Sequence, residues 1–98
     1  MSDKKEFQYS FNDESGRRKI SFDFSEEDEE CLEFGFESGE FYLNANRAGF
    51  LALAKVFLRL SLSAYKPGFH IHLGEDFSDP SELKQISIAL MEDPAADG

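Results

Sequence analysis

Cysteine is almost missing from this chain: Cys31 stands alone among 98 residues. An internal disulfide, a disulfide framework and a four-cysteine zinc site are therefore excluded. Tryptophan is absent, and no run approaches the ~18 apolar residues of a membrane-spanning helix. Residues 1–6 are polar and lack the apolar segment of a signal peptide, so a soluble, cytoplasmic protein is expected. Positive charge is scarce too. Ten Lys and Arg face twenty Asp and Glu, a formal net charge of −10 with both histidines neutral. Such a surface repels polyanions, which argues against nucleic acid or an anionic bilayer as a partner.

What is present is acid and phenylalanine. Glu26, Glu27, Asp28, Glu29 and Glu30 form an unbroken acidic run. Like charges repel and stay hydrated, so the run belongs on a solvated loop. It serves solubility or attracts a basic protein partner. The same carboxylates disfavour a thiolate at the neighbouring Cys31, which is therefore expected to be structural. Eleven phenylalanines supply the apolar area that one small domain needs to offset the entropy of ordering its chain.

Alternation with period two dominates the pattern. Phe7-Tyr9-Phe11, Ile20-Phe22-Phe24, Leu32-Phe34-Phe36, a short stretch through Phe41 to Leu43, Phe69-Ile71-Leu73 and Ile86-Ile88-Leu90 each read as strands. Turns are expected at Asn12 to Gly16 and Glu37 to Glu40. A helix is expected from Ala48 to Ser63, capped by Asn44 or Asn46, with Pro67-Gly68 ending the helical region. On its wheel Phe50, Leu53, Phe57, Leu60 and Ala64 form the packing face, while Lys55 and Arg59 mark the solvated one. The expected fold is α+β, in the order β-β-β-β-α-β-β. One helix covers one face of a mainly antiparallel sheet of five to six strands. Residues 1–98 form a single domain in this reading, with ends 1–5 and 92–98 frayed.

Candidate sites are few. His70 and His72 point the same way on a strand, with Glu75 and Asp76 close by, the only spacing that suits a metal. Two imidazoles among plentiful acids fall short of the ligand set a zinc site requires, and neither metal nor cofactor is expected. No G-x-S-x-G, P-loop or glycine-rich helix start occurs, so a non-catalytic protein is expected. Arg17-Arg18-Lys19 is too short for a nucleic-acid patch and suits protection of a sheet edge. Leu51, Leu58 and Leu62 make one flank of the helix more apolar than one-sided packing requires. A loop such as Gly74 to Ser81 covers that flank, or a second copy of the chain does.

Tyr42 to Ala54 holds an Asn-x-x-Gly-Φ-Leu helix start and an apolar helix, and Gly68 to Leu73 ends in His-x-His-Leu with acids after it. A Ser-x-x-Leu-x-Φ-type strand, Ser81 to Leu90, closes the pattern. Over about residues 40 to 91 the chain resembles the immunity protein 32 family of bacterial polymorphic-toxin systems. The resemblance implies a small cytoplasmic protein that binds and neutralises a cognate toxin by occlusion. It implies that Glu26 to Glu30 and the acids from Glu75 to Asp79 dock on basic toxin groups, with His70 and His72 in or beside the interface. Two other classes stay open from the residues themselves. One is a general interaction or dimerisation module using the leucine flank or a sheet edge; the other is a metalloenzyme built on His70 and His72.

Overall fold

The computed structural model describes residues 3–25, 27–77 and 85–94. Its architecture is α+β, with strands β1 (Leu32–Glu37), β2 (Glu40–Ala45), β3 (His70–Gly74) and β4 (Gln85–Ala89) and the helix α1 (Arg47–Leu62). Short 3-10 turns lie at Ser15–Arg17 and Glu75–Phe77. β1 pairs antiparallel with β2, and β3 with β4, as two separate two-stranded sheets. The expected sheet of five to six strands is overturned.

The missing strands have a physical explanation. Residues 7–11 and 20–24 carry the alternation of a strand but form no backbone ladder. Side chains hold them instead: Phe7, Tyr9 and Phe11 contact ring to ring, and Phe22 and Phe24 meet Phe77 edge-on. Alternation records which side chains face the body of the protein, not whether a neighbouring backbone is there to pair. Nor does β1 offer these segments its outer edge. The Leu32 N–H donates to Asp76 Oδ1 at 3.0 Å and the Phe34 N–H to Glu75 Oε2 at 3.2 Å. Two carboxylates thus stand where a third strand's carbonyls would be.

The turn between β1 and β2 falls at Ser38 and Gly39, both with positive φ, which is the backbone of a tight hairpin with the sheet's own twist. The helix starts one residue before the expected position. Asn46 caps it, its Oδ1 accepting from the Gly49 N–H at 2.7 Å and from the Cys31 N–H at 3.0 Å. Asn46 Nδ2 donates to the Glu29 carbonyl at 2.7 Å. One side chain therefore closes the helix start and ties it to the end of the acidic run. Gly49 is required at this junction, because a Cβ there would collide with the Cys31 carbonyl oxygen.

The core lies in two adjoining clusters. Leu32, Phe34, Leu53 and Leu73 form one, and Val56, Leu60 and Tyr65 form the other, flanked by Ile20, Phe22, Phe69, Ile71 and Ile88. The buried face of α1 is Gly49, Ala52, Leu53, Val56, Arg59 and Leu60. This corrects the expected wheel by roughly 80°, at 100° per residue. Phe50 and Phe57 turn out to solvent, while Arg59, assigned to the wet side, turns in.

Arg59 turns in because the N-terminal segment crosses over it. Its Nε donates to the Tyr9 hydroxyl at 2.9 Å, its Nη1 to Glu14 at 3.2 Å and its Nη2 to Asp23 at 2.8 Å. The Tyr9 hydroxyl donates in turn to Asp23. The Phe11 ring lies 5.0 Å from the guanidinium carbon and the Tyr9 ring 5.8 Å, so the cation is both paired and stacked. Asp13 adds a second tie, accepting from the Ser15 and Ala64 N–H groups.

These ties set an acid response. The Tyr9 hydroxyl and then Arg59 hold the Asp23 carboxyl below the usual range. The Ser15 backbone N–H does the same for Asp13, and Ser21, followed by Lys19, for Glu14. Folded-state values below the unfolded ones mean that this stability is complete above the ordinary carboxylate range and is lost as pH falls through the lowered values. The thermal midpoint should therefore hold steady down to about pH 5 and drop below about pH 4. Asp23→Asn should lower the plateau and flatten the drop, as scanning calorimetry across pH will register.

Candidate interaction surface

The β1–β2 register sorts the hairpin into two faces. Glu33 lies opposite Asn44, Gly35 opposite Tyr42, and Glu37 opposite Glu40, all on one side. The Tyr42 ring occupies the space above Gly35, where a Cβ would sit 2.6 Å from the phenol oxygen. Glu33 accepts from Asn44 Nδ2 at 3.0 Å. The result is an open hollow of about 460 Å³ lined by Glu33, Glu37, Ser38, Glu40, Tyr42 and Asn44. Three carboxylates and one tyrosine share this face of a two-stranded support. Such a surface suits a Lys or Arg side chain, which can lie on the ring and reach a carboxylate.

The opposite face continues from the buried Leu32 and Phe34 to Phe36 and Phe41, whose rings are 4.6 Å apart and open to solvent. Together with Leu43 and Ile86 they border an apolar cleft of about 720 Å³ between the two hairpins.

The acidic run bends at Glu27 and Asp28 and is irregular at Glu29 and Glu30, and Glu26 lies outside the described residues. Ser25 Oγ accepts from the Glu27 and Asp28 N–H groups, and Glu30 Oε1 accepts from the Ser25 N–H at 3.0 Å. Glu27, Asp28 and Glu29 are exposed, and Glu30 is half-buried in its own loop. An open groove of about 890 Å³ leads from Asp28 and Glu29 past Cys31 to Arg47 and Phe50. Burial and the charges of Glu29, Asp76 and Glu30 push the Cys31 thiol up, away from thiolate chemistry.

Glu75 and Asp76 hold the edge of β1 through the backbone bonds described above, joining the two hairpins. Their position makes them braces of the fold. His70 and His72 lie on β3 opposite Ala89 and Ser87, exposed, with ring centroids 5.1 Å apart. His70 Nδ1 is 3.2 Å from the Gly68 carbonyl. Among the described residues no three His, Cys, Asp or Glu side chains converge on a metal position. Asp79, like Glu26, lies outside the described residues. Arg17 sits in a 3-10 turn, Arg18 follows with positive φ, and Lys19 pairs with Glu14 at 3.4 Å; none of the three lies in a strand, contrary to the expected strand entry.

Leu51 and Leu62 are exposed and Leu58 is half-buried. Of the expected covering loop, Gly74 ends β3, Glu75 and Asp76 bond to β1, Phe77 packs on Phe22 and Phe24, and residues 78–81 lie outside the described ones.

Sequence reasoning passed over Glu33, Glu37, Glu40 and Tyr42. The signal was present, since the residues between Leu32, Phe34 and Phe36 are the wet face of the same strand. No family model, curated protein or solved structure matches this chain. No helix among the described residues is long and apolar enough to cross a membrane.

Proposed function

We propose that this chain is a small acidic binding protein that neutralises a protein partner with a basic surface, acting by occlusion. The cognate bacterial toxin of an immunity pair is the partner that best suits the resemblance to the immunity protein 32 family. The observation that carries the reading is the hairpin face on which Glu33, Glu37 and Glu40 surround Tyr42. Backbone pairing fixes the positions from which those side chains project before any partner arrives, so docking need not order the backbone beneath them. The exposed carboxylates of Glu27, Asp28 and Glu29 and the net charge of −10 add long-range attraction. Glu75 and Asp76, occupied by β1, play no docking part in this reading.

The test is stopped-flow association with the basic product of an adjacent toxin gene, at low and high salt. Converting Glu33, Glu37 and Glu40 together to Gln should slow association about tenfold at low salt and flatten its salt dependence. The same change at Glu27, Asp28 and Glu29 should act more weakly. An unchanged rate in the hairpin variant places the docking surface elsewhere.

A further inference from the structure

The exposed side of α1 is an apolar stripe. Phe50, Leu51, Ala54, Phe57, Leu58 and Leu62 fall together there, and α1 contains no acidic residue at all. Phe50 is 51% exposed, Leu51 42%, Phe57 47% and Leu62 69%, and Met91, across a shallow hollow from Phe57, is 82% exposed. If a fully open residue of this size offers about 200 Å², these five present roughly 580 Å² of surface. A standard interface of about 800 Å² per partner is some 60% apolar, about 480 Å², so the patch is large enough to supply it. The patch has the area of one complete interface.

Charge narrows the occupant. The cations on α1 outside the core are Arg47 at the start of the stripe and Lys55 at its margin, next to the Tyr9 ring. They repel a basic protein, so the partner drawn to the acidic hairpin is not drawn here. A second copy fits better. α1 is about 24 Å long, and two of them laid antiparallel put the start of one against the end of the other. Arg47 is exposed and makes no ion pair in the described structure; Asp93 lines the hollow beside Phe57, Ser61 and Tyr65 at the other end. Antiparallel pairing brings Arg47 of each copy towards Asp93 and the negative helix end of the other, twice by symmetry.

We infer that two copies of this chain associate through α1, antiparallel across a two-fold axis, with the phenylalanine and leucine stripes interleaved and Arg47 opposite Asp93 at both ends. The inference is independent of the acidic-face reading. The hairpin faces stay open in the dimer, which then carries two docking surfaces.

Sedimentation equilibrium on the full chain tests it. The wild type should dimerise, and more tightly as salt rises, because screening relieves repulsion between two copies of net charge −10. Phe57→Glu, at a solvent-facing helix position, should weaken association by about thirtyfold or more with an unchanged circular dichroism spectrum. Phe41→Glu, on the hairpin, should leave it intact. Arg47→Glu and Asp93→Lys should each weaken the dimer, and the double variant should recover it. A wild type that stays monomeric up to about 1 mM overturns the inference. So does a dimer that survives Phe57→Glu, or a double variant no better than its singles.

Discussion

Arg59→Met should lower the stability of this domain by about 3 kcal/mol, the low end for breaking a buried ion pair because Asp23 is more than a third exposed. For a domain of this size that corresponds to a loss of more than about 10 °C in the thermal midpoint. The methionine keeps much of the aliphatic stem, so the loss isolates the guanidinium from simple cavity formation. What fails is the attachment of the N-terminal segment. Tyr9, Glu14 and Asp23 each hydrogen-bond to the helix through this cation; without it Tyr9 keeps its bond to Asp23 and the weaker contact of its ring with Lys55. Amide exchange in residues 9–23 should accelerate more than in α1. A variant that loses stability evenly across the chain, or loses none, contradicts this account.

Gly49→Ala is the second large effect, and its sign opposes helix propensity. Alanine in place of glycine inside an exposed helix stabilises by roughly 1 kcal/mol. Here the new methyl group runs into the Cys31 carbonyl oxygen, which is backbone and cannot swing away, and lies close to Asn46 Oδ1 and the Ala45 Cβ. Separating the chain at Cys31 from the helix costs about 2 kcal/mol, in the range for overpacked sites. It also stretches the bonds from Asn46 to the Cys31 N–H and the Glu29 carbonyl. Urea denaturation should show a net loss. A gain would mean that the helix and residue 31 separate freely. The Asn-x-x-Gly spacing at the helix start thus has a steric cause: the asparagine draws the preceding chain in, and the glycine leaves room for it.

How much of this was legible beforehand follows the range of each interaction. The β1–β2 turn, the helix and its Asn46 cap are decided within a few residues, and local chemistry sufficed to find them. Strand pairing is decided at long range. Phe7 to Phe11 and Ile20 to Phe24 have strand-like patterning, yet β1 already satisfies its outer N–H groups with Glu75 and Asp76 from more than 40 residues away. The same two acids look like surface charge in the sequence and act as surrogate backbone in the fold. Arg59 misled for a related reason. A cation on an apolar helix marks the solvated side unless acids elsewhere in the chain come to meet it, and Glu14 and Asp23 lie 45 and 36 residues back. On the hairpin the wet-face glutamates could have been identified, since alternation alone sets them beside Tyr42. The run Glu26 to Glu30 drew attention instead through its density. Its member Glu30 is partly taken up within its own loop.

Phenylalanine is the commonest large apolar residue here, and Phe34 alone of the eleven is fully interior. A chain that leaves so many rings in water is under pressure to associate with something at working concentration. The heavy excess of carboxylates then has a second use beside steering: it keeps those rings from clumping indiscriminately, so that only a surface with matching shape and charge can take them up. Acidity and oiliness, read as opposites along the sequence, become two halves of one selectivity filter.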